Sequence, residues 1–133
     1  MATRRTVLFS AAVVGLATGC SNSESPPPKP DPAMEDMLSA SLALRDIADT
    51  LEREDISADH SAHAETLQRL LGDVDVEPLE LEVTDIASLA TTESEHAEAA
   101  QEAALTADRG YAVLLAEIAA CRSAHVETLQ NHD

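Results

Sequence analysis

DIASLATTESEHAEAAQEAALTA, residues 85–107, places Ile86, Leu89, Ala90, Ala97, Ala100 and Ala104 at three- and four-residue steps. Each residue of an α-helix advances about 100°, so these side chains fall on one stripe. Glu93 sits at the centre of that stripe and His96 on its flank. A carboxylate on a face that packs inward has to find a partner. The stretch therefore predicts both a helix and a polar feature in the core.

The same reading extends outward in both directions. A helix is predicted over Ala33–Arg53, opened by Pro32. A second covers Ile56–Leu71 and stops at Gly72. Asp73–Thr84, with Pro78 inside it, reads as a loop. The third helix is Asp85–Ala107, the fourth Tyr111–Asn131, and Gly110 marks the turn between them. Glu54-Asp55-Ile56-Ser57 contains no Gly or Pro, so one long bent helix is the alternative to a break there. The break is favoured because Leu44, Ala48 and Leu51 do not continue in phase into Ile56 and Leu67. Strand-like alternation is nearly absent. The fold class is all-α, a small antiparallel four-helix bundle over residues 33–133, with a narrow core of Ala and Leu.

Composition bounds the function. The chain has 133 residues, 25 acidic against 8 Lys and Arg, and a net charge of −17. Binding to nucleic acid or to anionic lipid headgroups is excluded as a leading role, because phosphate contacts need clustered Lys and Arg. Aromatics at 2% leave almost no stacking platform for bases or sugars.

Residues 1–19 read as an export signal: Arg4 and Arg5, then a short apolar stretch from Val7 to Ala17. That stretch is about half of what a membrane-spanning helix needs. Ala17-Thr18-Gly19-Cys20 puts small residues just before a cysteine and resembles the lipobox of bacterial lipoproteins, with Cys20 lipidated. An ordinary secretory signal or a short uncleaved anchor is the alternative. Thr3-Arg4-Arg5-Thr6-Val7-Leu8 also resembles a twin-arginine export motif. Residues 20–32, rich in Ser and Pro, form a tether that holds the domain off the membrane. The expected location is the cell membrane, lipid-anchored and facing the extracytoplasmic side.

The inward histidines carry the chemistry. His60 and His63 fall within the apolar arc of the second helix, set by Ile56, Leu67, Leu70 and Leu71. His125 and Arg122 fall within that of the fourth, set by Leu114, Leu115, Ile118 and Leu129, with Cys121 at its edge. If the second and third helices are antiparallel, His60 lies at the height of His96 and His63 at that of Glu93. In the third and fourth, Glu93 and His125 share a height. His60, His63, Glu93, His96 and His125 are then one layer.

Two readings of that layer compete. It is a site for one transition-metal ion, Zn, Fe or Cu, which imidazole and carboxylate suit. Or it is a hydrogen-bonded polar layer in a structural or protein-interaction module, with Glu93 paired to a protonated His or to Arg122, which the height rule puts beside Glu95 and His96. A redox enzyme with a divergent di-metal centre is a third reading. Cys121 is a further ligand or a small apolar filler. No catalytic Ser-His-Asp or Cys-His arrangement and no phosphate loop stands out.

Ile86-Ala-Ser-Leu-Ala-Thr-Thr-Glu93-Ser-Glu-His96 resembles the third helix of the ferritin-like domain found in bacterial lipoproteins and secreted proteins of unknown function. Ala112-Val-Leu-Leu-Ala-Glu-Ile-Ala-Ala-Cys-Arg-Ser-Ala-His125 resembles its fourth helix, and Ser61-Ala-His63-Ala-Glu-Thr-Leu67 its second. The last also echoes Ser123-Ala-His125-Val-Glu-Thr-Leu129, as a duplicated αα-hairpin would. The resemblance covers residues 34–130. It implies a ferritin-like four-helix bundle and no particular activity. Di-iron ferritins supply two Glu and two Glu-x-x-His pairs. Here only Glu93 and His96 have that form, and His60 and Arg122 stand three residues before His63 and His125. The resemblance therefore does not imply ferroxidase activity or an iron-storage shell.

Overall fold

The computed structural model describes residues 31–131. All regular structure among them is helical: α1 (Pro32–Thr50), α2 (Glu54–Leu71), α3 (Ile86–Thr106) and α4 (Arg109–Gln130). The expected signal segment, Cys20, most of the tether and His132 lie outside the described residues. No described helix is long and apolar enough to cross a membrane.

Local chemistry explains each boundary. Asp31 caps α1 by accepting from the Ala33 N–H at 3.0 Å, and Pro32 takes the first helical position, where no donor is needed. Asp85 caps α3 in a reciprocal box: its Oδ1 accepts from the Ser88 N–H at 2.8 Å, and Ser88 Oγ accepts from the Asp85 N–H at 3.1 Å. At the end of α2, Gly72 takes φ +75°, and the Gln68 amide donates to the Gly72 and Val74 carbonyls. Gly110 is not the turn between α3 and α4, contrary to expectation. The chain turns at Ala107 and Asp108, and Gly110 is the second residue of α4.

The α1–α2 break is present, about three residues earlier than the sequence suggests. Glu52 adopts φ +57°. Its N–H donates to Asp49 O at 3.1 Å, and the Arg53 N–H to Ala48 O at 2.8 Å. This is the Schellman ending that glycine usually supplies, here built on glutamate. The absence of glycine is why the sequence leaves the break ambiguous. Glu52→Gly is expected to stabilise the protein by about 0.5–1 kcal/mol, by relieving the left-handed strain of a residue with a Cβ. A urea midpoint that stays put or falls would refute this.

α1 packs on α2 and α3 on α4, while α1 also meets α3 and α2 meets α4. The α2–α3 and α1–α4 pairs are therefore diagonals. The core has two ends. One joins Met34 and Leu38 at the start of α1, Leu67 and Leu71 at the end of α2, Ala100 of α3, and Leu115 and Ile118 of α4. The other joins Leu44 and Ala48, Ile56, Leu89 and Leu129. Reading along each helix, α2 and α3 both run from the second end to the first, so they are parallel.

That corrects the antiparallel arrangement assumed for them. The cause is the connection 72–85, which travels the length of the bundle. Val74 and Val76 pack on the first end, Leu81 and Val83 on the second. Midway, the Leu79 N–H donates to Ser39 O at 3.1 Å, and Ser39 Oγ to Glu77 O at 2.7 Å. Val74, Val76, Leu81 and Val83 are half-buried, while Asp75 and Glu82 beside them are exposed. This is a period-two pattern within the segment read as a plain loop.

Candidate metal centre

Between the two apolar ends lies a polar layer: Ser41, His60, Glu93, Arg122 and His125 are buried. His60, Glu93, Arg122 and His125 follow from the helical register read in the sequence, while Ser41 of α1 was not singled out there. Helix α2 puts His60 one turn after Ile56, and α3 puts Glu93 between Leu89 and Ala97. His60 Nε2 lies 2.5 Å from Glu93 Oε1, across the α2–α3 diagonal. His125 Nδ1 stands 3.4 Å from the same oxygen. Ligand atoms of His60, Glu93 and His125 all lie within 4.8 Å of one another.

Arg122 crosses the other diagonal. It donates to Ser41 Oγ at 3.0 Å and to the His96 carbonyl at 3.1 Å, and its Nη1 lies 3.5 Å from Met37 S. The expected closeness of Arg122 to His96 thus runs through the backbone, while Glu95 is exposed.

The other two candidates stand apart. His63 is half-buried, with its ring centroid 6.4 Å from that of His60. His96 is half-buried beside Ser39 and Leu79, under the crossover. Neither belongs to the trio within 4.8 Å. The expected pairs, His60 with His96 and His63 with Glu93, give way to His60 with Glu93 because α2 and α3 are parallel. Leu70, read as core, is half exposed.

No protein-family model matches this chain, and neither a curated protein nor a solved structure matches it.

The charges in the layer are set by burial and proximity. Burial pushes the Glu93 carboxyl upward, but the imidazoles of His125 and His60 outweigh it and hold it at about 2. Burial lowers His60 despite Glu93, so His60 is neutral and donates from Nε2. For His125, burial pulls downward, and the bonds to Glu93 and Asp59 win and raise it. Glu93 is thus faced by an imidazole whose charged form it favours and by the Arg122 guanidinium. Burial also lowers Arg122, to about 10, against the pull of Glu93, and it stays charged at neutral pH.

Asp59 was not among the residues singled out from sequence. Its Oδ2 lies 3.0 Å from His125 Nε2, and its side chain is 55% exposed. Cys121 Sγ is 3.7 Å from the same oxygen and 3.5 Å from His125 Nε2. The internal repeat carried the signal. Aligning Ser61-Ala-His63 with Ser123-Ala-His125 places Asp59 opposite Cys121, and mates on neighbouring antiparallel helices of a duplicated pair meet near its axis. Burial and Asp59 raise the Cys121 thiol to about 11, so it is protonated and is no ready nucleophile.

Stability should depend on pH through these groups. Burial, with His60 and Arg122 adding, lowers His63 to about 4. His60 and His96 are lowered too. The unfolded chain binds these protons near pH 6.5 and the folded chain does not, so stability falls as pH drops below that range. His125 is raised and opposes this, one group against three. The urea midpoint should be lower near pH 5 than near pH 7, and equal midpoints would refute the assignment.

Proposed function

We propose that this chain is a lipid-anchored, extracytoplasmic ferritin-like protein that binds one transition-metal ion, Zn, Fe or Cu, in its core. The anchor rests on the lipobox-like Ala17-Thr18-Gly19-Cys20 and the Ser/Pro tether after it. The ferritin-like reading is supported by the single long crossover between two helical hairpins, the connectivity of that fold.

One observation carries the metal. His60, Glu93 and His125 are all buried, one ligand atom of each lies within 4.8 Å of the others, and Glu93 Oε2 has no hydrogen-bond partner. An unsatisfied buried polar atom costs about 1–3 kcal/mol. Three ligand atoms at one place, beside a carboxylate oxygen left unpaired, fit an occupant that accepts lone pairs. Two imidazoles and a carboxylate form a donor set that suits Zn or Fe and leaves coordination positions open. Only one half of the layer has this set. Arg122, three residues before His125 as His60 is before His63, places a fixed cation in the other half. This argues for one ion rather than two.

A second reading has its own observation. At 2.5 Å, the contact between His60 and Glu93 is a complete hydrogen bond, and an ion between them requires the two to part. On that reading the layer is a structural network. Elemental analysis of the intact chain decides, after exposure to Zn, Fe and Cu and then desalting. Near-stoichiometric retention is expected, lost in the His60→Ala variant. Wild-type retention no higher than that control would overturn the metal reading.

A further inference from the structure

We propose that Asp59, Cys121 and His125 form a second, solvent-facing site for one thiophilic divalent cation, such as Zn2+. The site lies on the seam between α2 and α4. It needs neither His60 nor Glu93 as a ligand and goes beyond the core reading.

The distances match a metal polyhedron. Bonds of about 2.3 Å to sulfur and about 2.1 Å to nitrogen and oxygen, set tetrahedrally, separate the ligand atoms by roughly 3.4–3.6 Å. Cys121 Sγ to His125 Nε2 is 3.5 Å and Cys121 Sγ to Asp59 Oδ2 is 3.7 Å. His125 Nε2 to Asp59 Oδ2 is 3.0 Å, and those two atoms need open only slightly to admit an ion. Three protein ligands leave the fourth position to water.

The surroundings also fit. His125 is 5% exposed, and its Nε2 is aimed outward at this cluster from a buried ring. Its Nδ1 faces Glu93 Oε1 at 3.4 Å. A ligating imidazole characteristically donates its second N–H to a carboxylate, which fixes its tautomer and raises its basicity. Glu93 occupies that supporting position. The outer face is open, since Asp59 is 55% exposed and Cys121 half-buried. An ion from solvent meets these residues before it can reach His60 and Glu93, which are sealed at 0%. On binding, the Cys121 thiol and the His125 Nε2–H each release a proton to solvent, so that the sulfur ligates as thiolate and Nε2 through its lone pair, while Nδ1–H stays toward Glu93.

His125 links the two sites. A neutral imidazole has one free lone pair, so an ion at Nε2 requires Nδ1–H and an ion at Nδ1 requires the reverse. The two sites therefore exclude each other on one chain, and the outer one keeps the hydrogen-bonded inner layer intact.

Co2+ titration of the intact, reduced, metal-free chain tests this. A sulfur-to-cobalt charge-transfer band is expected at one ion per chain. It should vanish in Cys121→Ser, and Co2+ binding should weaken at least roughly tenfold in Asp59→Asn, whose side chain is exposed and whose substitution spares the fold. The band should persist in His60→Ala. A wild-type chain without the band, a band that survives Cys121→Ser, or unchanged affinity in Asp59→Asn would overturn the site. Band-free retention lost in His60→Ala would overturn it while leaving the core reading standing. A band with retention indifferent to His60→Ala would do the opposite.

Discussion

Glu93→Gln is expected to lower stability by about 3–5 kcal/mol. The substitution keeps the shape of the side chain and removes its charge. What remains is a buried Arg122, and a His125 that has lost the partner favouring its charge, with no anion inside the layer. Breaking a buried pair from one side costs this much because the surviving charge stays desolvated. The bond to His60 is only partly replaced, since a glutamine oxygen accepts from His60 Nε2 less strongly than a carboxylate does. Urea denaturation measures the loss, and the slope should stay constant if only the native layer is affected. A change below about 1 kcal/mol would mean that the layer carries no buried charge pair. The same variant should lose core metal retention, because the carboxylate is the anionic ligand of the trio.

Arg122→Met should cost about 2–3 kcal/mol. Methionine fills much of the same volume but leaves Ser41 Oγ and the His96 carbonyl without the donor they share. The variant has a second, more diagnostic effect. The Arg122 charge contributes to lowering His60, His63 and His96. Its removal should raise all three, with His63 moving up from about 4. An NMR titration of the imidazole protons reads this directly. Unmoved histidines would show that Arg122 acts by packing alone. Pairing Arg122→Met with Glu93→Leu should cost less than the sum of the two, because together they remove both members of a charged layer.

Much of the fold was legible because it is local. Ile86, Leu89, Ala90, Ala97 and Ala100 announce the inner face of α3, and Glu93 lies buried on it as the periodicity requires. Pro32 and Asp85 mark helix starts by local chemistry that needs no tertiary context. Where local chemistry was unusual, the boundary blurred. Glu52 in the left-handed region carries no sequence mark, and Gly110 sits harmlessly in the first turn of α4. The alternation of Val74, Val76, Leu81 and Val83 was a visible signal of an extended segment lying on the bundle, and reading it would have revealed the direction of the crossover.

Sequence alone determined which face of its helix each buried polar residue takes, since rotation about a helix axis follows from the 3.6-residue repeat. It thereby turned His60, Glu93, Arg122 and His125 inward. It did not determine which of them meet. Height along the axis and choice of neighbour depend on the path of the 72–85 connection, which is held by hydrogen bonds with Ser39 and by the packing of Leu81 and Val83 on the end of the core that contains Leu44 and Ala48. That path makes α2 and α3 parallel and diagonal. It brings His60 rather than His63 onto Glu93 and leaves His96 beside the crossover. Asp59, on the exposed side of α2, reaches His125 and Cys121 only because α2 and α4 pack together, a non-local contact that helical periodicity does not encode.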